Sequence, residues 1–193
     1  MAPTTYLKPA LSFKEIPLLE EINELETKIG LPDNFVHRLV SEDDWSFVIK
    51  LNALFEASTT RLLTSRLAAP ELEDSFSHLD YGNRKFGKVA LLKKLGCIND
   101  DESKFLQMLF ELRNQLAHDI KQVTFDFTSH IEGMDKNQKA AFIKAVMCGR
   151  ENISWNCEVR PRADYVLSHP KLLIFIAASD ILVSMHIQEY GKS

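Results

Sequence analysis

Apolar residues recur every three or four positions along most of this chain, which marks out a series of amphipathic helices. The first is predicted over residues 13–29, where Ile16, Leu19, Ile22, Leu25 and Ile29 share a face and Gly30, Leu31 and Pro32 close the element. Pro17 fits only near its start. Residues 33–40 add a short helical turn, and Ser41 followed by Glu42, Asp43 and Asp44 predicts a strong helix start. In the helix expected over 42–67, Phe47, Val48, Leu51, Leu54, Phe55 and Leu62 lie on one side. Trp45, Ile49, Leu63 and Leu67 lie on another, and a helix apolar on two sides belongs in the centre of a bundle.

After Pro70, the spacing predicts a short helix over 71–79, a turn at 80–83 and a further helix over 84–95 carrying Phe86, Val89, Leu92 and Leu95. Gly96 stands where a left-handed C-terminal cap is expected. Asn99-Asp100-Asp101-Glu102 reads as a capping box that opens a helix running to His118. Beyond it, alternation over 122–128 and over 152–159 allows a small peripheral strand pair, with buried irregular chain as the alternative. The two stretches flank a helix expected over 135–148, and a loop between Pro161 and Pro170 leads to an apolar helix over 171–190. The segment 172–187 is interrupted by Ser179, Asp180, Ser184 and His186 and is shorter than a full membrane span, so it reads as a buried helix.

The expected fold is therefore all-α, a single-domain helical bundle of about six to seven helices. Within residues 1–193 it divides into a helical extension (1–40), a core (41–119), and a peripheral segment with the C-terminal buried helix (120–193). A length of 193 residues with 45% hydrophobic content supports one well-buried core. A net charge of −4 and a pI near 5.9 exclude a general nucleic-acid coating protein, so any contact with RNA has to be local.

Cys97, Cys148 and Cys157 are odd in number and widely spaced, which predicts neither a disulfide framework nor a zinc site and fits a reducing cytoplasm. The start Met-Ala-Pro-Thr-Thr-Tyr lacks a basic stretch followed by an apolar one, so no secretory signal is expected. His37, His78, His130, His169 and His186 show no metal-ligand spacing. Nucleophile motifs of the Gly-x-Ser-x-Gly kind and glycine-rich phosphate loops are absent from the sequence.

The helix ending at His118 carries the most informative chemistry. At about 100° per residue from Phe105, Leu109, Leu112 and Leu116 fall within about 40° of it, and Arg113 falls near 80°, inside the apolar arc. A guanidinium buried there needs a carboxylate, a phosphate or another subunit, and Glu56 of the preceding long helix is a candidate partner that would hold Arg113 from behind. Asn114 and His118 are four residues apart on one side, with the imidazole in the last turn, where the helix field favours its protonated form. Arg113 is about 140° away from His118 around the helix, so the pair straddles a groove. Read for structure alone, His118 is a C-terminal cap and Arg113 an ion-pairing residue.

The run Glu-Leu-Arg-Asn-Gln-Leu-Ala-His-Asp resembles the signature of HEPN domains: arginine, a polar residue, three variable residues and histidine. The resemblance implies a helical bundle and, in many members, a metal-independent ribonuclease whose two motif copies meet across a dimer. Carried over, Arg113, Asn114 and His118 are the expected catalytic residues, with no cofactor and no metal. A toxin-like or defence role follows from the same resemblance, with a homodimer, RNA and an antitoxin or regulatory protein as expected partners, and no membrane.

A longer stretch, from Asp80 through Asp119, resembles the mannitol operon repressor family in its order of short basic helix, Leu-Gly-Cys-Ile-Asn turn and helix ending in Ala-His-Asp. That resemblance implies a non-enzymatic transcriptional regulator acting through protein contacts. Arg84, Lys85, Lys88, Lys93 and Lys94 form a basic cluster suited to RNA phosphates, or else a solvated helix face. Tyr81, Phe125, Phe127 and Trp155 are aromatic residues of the core kind before they are base-stacking ones.

Overall fold

The computed structural model describes residues 16–155 and 158–190. Ten α-helices occur among them: α1 (Ile16–Ile29), α2 (Phe35–Leu39), α3 (Asp44–Arg66), α4 (Glu73–Ser77), α5 (Lys88–Lys94), α6 (Asp100–Ala117), α7 (Phe127–Glu132), α8 (Lys136–Met147), α9 (Ala163–Val166) and α10 (Pro170–Tyr190). Two short 3-10 turns, Pro70–Leu72 and Ile120–Thr124, and the strands β1 (Asn152–Trp155) and β2 (Glu158–Pro161) complete the set. The protein is all-α, as its periodicity predicts. The count exceeds six to seven because several elements are single turns set off by local caps.

Side-chain caps fix where the helices begin. Asp43, rather than Ser41, starts α3: its carboxylate accepts from the Ser46 backbone N–H at 2.8 Å and from the Ser46 hydroxyl at 2.6 Å. Those bonds hold the Asp43 carboxyl below the usual carboxylate range. Asp44 is left to accept from the Phe127 N–H at 2.9 Å, joining the start of α3 to α7.

The helix expected over 84–95 forms only from Lys88, because the Asn83 side chain accepts from the N–H groups of Lys85 and Phe86, both at 3.0 Å, and holds residues 83–86 in a turn. Gly96 does take the left-handed conformation, with φ 72°.

Residues 122–128 are not a strand. Asp119 accepts from the Lys121 N–H at 3.0 Å and opens the 3-10 turn, and Asp126 accepts from the Ser129 N–H at 2.8 Å and opens α7. The alternating aromatics there pack on one another instead: the rings of Phe125 and Phe127 meet edge-on at 5.2 Å. The described residues of the stretch 152–159, 152–155 and 158–159, are extended and find their partner locally. β1 pairs antiparallel with β2, Ile153 facing Arg160 and Ser154 facing Val159.

α3 lies at the centre, with α10 and α6 packed along it, α1 over α10, α8 bridging α6 and α10, and α5 between α3 and α6. One apolar cluster runs through all of these, from Ile22 and Leu25 on α1 to Leu182 and Met185 on α10. α3 and α6 run antiparallel in a register fixed at three levels. Trp45 Nε1 donates to Leu116 O at 3.4 Å, Asn52 Nδ2 donates to Leu109 O at 3.1 Å, and Phe55 meets Phe105 edge-on at 6.2 Å. α10 is long and apolar enough to cross a membrane by length and composition, and Leu173, Ile174, Ala177, Ala178, Ile181 and Leu182 on it are buried in the bundle core.

Candidate functional site

α6 is the helix that carries the motif, and its start is firmly set. Asn99 Oδ1 accepts from the N–H groups of Asp101 and Glu102, both at 2.9 Å, while Glu102 Oε2 accepts from the Asn99 N–H at 2.8 Å. Phe105, Leu106, Leu109, Leu112 and Leu116 form its buried face. At its other end Trp45 takes up the Leu116 carbonyl, one of the last four that a helix leaves without an internal partner.

The motif side chains lie at this C-terminal end. Arg113 is half-buried rather than enclosed: from the edge of the apolar arc its long stem reaches outward, and Nη1 donates to the Asn114 side-chain oxygen at 3.0 Å. Asn114 is half-buried as well, and His118, the C-terminal cap residue of α6, is exposed. The hydrogen bond draws the guanidinium round the helix toward Asn114, which shares a side with His118 by its four-residue spacing. Arg113 and Asn114 thus form one polar patch near the end of the helix that His118 caps.

Glu56 does not belong to that patch. The antiparallel register sets Phe55 against Phe105, so Glu56 lies about two helical turns, roughly 12 Å, from the level of Arg113. Its charge acts on Lys88 and Tyr81 instead.

The expected basic cluster is largely tied up within the molecule. Lys88 is fully buried, with Nζ donating to Thr60 Oγ1 at 2.9 Å and to Ser77 O at 3.0 Å, and burial lowers its pKa against the opposing pull of Glu56. Arg84 pairs with Glu111 at 2.6 Å and Lys93 with Asp100 at 2.9 Å. Lys94 Nζ donates to Lys85 O at 3.2 Å and stands 5.9 Å from the exposed Phe86 ring. Of the five, Arg84, Lys88, Lys93 and Lys94 thus fold onto carboxylate, hydroxyl or carbonyl oxygens, and Lys85 is exposed.

A groove of about 1250 Å³ runs beside α6, walled by α5 on one side and by α7 and α8 on the other. Its floor includes Met108, Leu112 and Phe142, and its lining carries five lysine or arginine side chains (Arg84, Lys93, Lys94, Lys104, Lys144) against two carboxylates (Asp100, Glu111). Gln107, Glu111 and Gln115 line it along α6, and Arg113, Asn114 and His118 are not among its lining residues.

Comparison with protein-family models, curated proteins and solved structures gives no match.

Sequence reasoning missed the far wall of the groove. His130 and Lys144 come from α7 and α8, and no local pattern links them to α6. His130 is half-buried, edge-on to Phe125 at 5.3 Å, and burial lowers its pKa. A separate trio, Glu21, Glu24 and His186, also escapes the sequence pattern, because the histidine is 162 residues from Glu24.

Proposed function

We propose that this chain is a HEPN-like RNA-acting protein, a metal-independent endoribonuclease of toxin-like or defence type that works as a homodimer. The observation that carries the reading is the Arg113–Asn114 hydrogen bond, which joins a guanidinium and an amide near the end of the helix that the exposed His118 caps. His118 takes the proton of a ribose 2′-hydroxyl as that oxygen attacks the adjacent phosphorus. The 5′-oxygen leaves as it takes a proton from water, His118 returns its own proton to solvent, and the products are a 2′,3′-cyclic phosphate and a 5′-hydroxyl end. Arg113 neutralises the charge that develops on the non-bridging oxygens, in the bidentate geometry that guanidinium offers. Asn114 positions Arg113, and a second copy of the chain supplies a second set of the same three groups.

The test is cleavage of single-stranded RNA by the purified chain in EDTA. Cyclic-phosphate or 3′-phosphate ends are expected, with the rate falling by about 10²–10⁴-fold in His118→Ala and comparably in Arg113→Ala. Asn114→Ala, which releases the guanidinium, is expected to lower the rate less. Wild-type protein that cuts no RNA, or motif variants that cut as well as wild type, would refute the proposal.

A second reading has its own observation. Arg84 and Lys93 are paired to carboxylates and Lys88 is buried, so the face that should track phosphates is largely neutralised, while Phe86 beside it is 71% exposed. That surface suits protein contacts, as in a regulator resembling the mannitol operon repressor. Specific capture of a regulatory or transporter protein, with RNA left intact, would favour this reading over the first.

A further inference from the structure

Two carboxylates of α1 and one imidazole of α10 converge at the end of the bundle remote from the motif. Glu21 and Glu24 are three residues apart and share a face of α1. His186, near the end of α10, is only 2% exposed, and its Nε2 lies 3.5 Å from Glu24 Oε2 and 3.9 Å from Glu21 Oε2. The three ligand atoms all fall within 4.8 Å of one another.

A gap of 3.5 Å is long for an N–H···O hydrogen bond, whose usual range is about 2.7–3.2 Å. The buried imidazole thus aims its nitrogen between two carboxylates without forming a well-made bond to either, and its Nδ1 has no hydrogen-bond partner. Neighbouring cations are engaged elsewhere. Lys28 Nζ lies 4.8 Å over the Tyr190 ring, and Arg61 pairs with Glu189 at 2.9 Å.

Bonds of about 2.0–2.2 Å to nitrogen and oxygen place neighbouring ligands of a tetrahedral ion about 3.3–3.5 Å apart. The His186–Glu24 spacing already meets that requirement, the His186–Glu21 spacing needs a shift of a few tenths of an ångström, and the two carboxylate oxygens, up to 4.8 Å apart, have to close by as much as about 1.3 Å. The side chains of Glu24 and Glu21 are 70% and 37% exposed, so both are free to close in, and a fourth position opens to water. One imidazole and two carboxylates are a donor set for zinc or a similar divalent transition ion, and too few oxygens for calcium. Two carboxylates and a neutral imidazole also cancel the ion's charge.

We propose that Glu21, Glu24 and His186 form a binding site for a divalent transition-metal ion, zinc by its donor set, which clips α1 onto α10. The site is structural and separate from the motif. Arg61 of α3 meets Glu189 near His186, whereas Trp45 of α3 meets the motif end of α6, so the two places lie about 24 Å apart along α3.

The experiment titrates the chelator-treated full chain with Zn²⁺ by calorimetry and follows thermal unfolding with and without the ion. One equivalent should bind and raise the midpoint, and Glu24→Gln or Glu21→Gln should weaken binding about tenfold or more. His186→Gln alters the core, so the exposed Glu24→Gln carries the test, together with loss of the visible absorption that Co²⁺ should show in the wild-type site. Absence of Zn²⁺ binding, or equal binding by the Glu21→Gln/Glu24→Gln double variant, overturns the proposal. Neither outcome touches RNA cleavage in EDTA.

Discussion

Replacing Gly82 by alanine measures how tightly the turn at 80–83 is pressed against α6. A Cβ at this position would stand 2.0 Å from Phe110 Cδ1, 2.1 Å from Cε1 and 2.5 Å from Cγ, where ordinary contact begins at 3.4 Å. A separation of roughly 1.4 Å therefore has to open. Turning the ring about its own axis leaves Cγ in place, so relief requires that Phe110 leave its seat beside Tyr81, whose ring lies 5.6 Å away, or that the turn lift off the helix. Either route costs about 1–3 kcal/mol, the usual range for overpacking.

Gly82 is not among the glycines with positive φ, so the expected loss is steric and not conformational. Urea unfolding of wild type, Gly82→Ala, Phe110→Ala and the double variant separates the contributions. Once the ring is removed, the added methyl should cost less than about 0.5 kcal/mol, leaving a coupling of about 1–3 kcal/mol between the sites. A Gly82→Ala protein within about 0.5 kcal/mol of wild type, or a strictly additive double variant, would refute the close approach.

Burial places the His130 pKa below its ordinary 6.5, so the folded protein binds fewer protons there than the unfolded chain as pH falls through that region. The stabilisation is complete above pH 6.5 and is lost as pH falls through the lowered folded value. His130→Gln should flatten this part of the stability profile, and an imidazole titrating by NMR at or above 6.5 would contradict the assignment. Asn99→Ala removes the acceptor for two N–H groups at the start of α6 and should cost about 1 kcal/mol in urea unfolding, within a range of about 0.5–2. An unchanged midpoint would mean that the capping box adds nothing to α6.

Most of the helices were legible in the sequence because their signals are local. The apolar period of α3, the Asn99–Glu102 box and the left-handed Gly96 each involve residues within a few positions of one another. The errors have local rivals as their cause. Asn83 diverted residues 83–86 into a turn, and Asp119 and Asp126 started helical turns where alternation left strand and irregular chain both open. The period-two pattern over 122–128 recorded aromatic packing, and that pattern alone does not distinguish the two outcomes.

The candidate site divides in the same way. Sequence alone determined that Arg113, Asn114 and His118 occupy one end of one helix, since a 3.6-residue repeat fixes their angular order whatever surrounds them. Only the tertiary structure decided that Arg113 reaches outward to Asn114, that Lys88 is buried against Thr60 and Ser77, and that Glu56 falls two turns away from the motif. It also decided that His130 and Lys144 face α6 across a groove, and that His186 meets two carboxylates of α1. The reason is that each of these depends on the register and contact of helices distant in the chain. Packing sets that register through side chains whose partners no local pattern names.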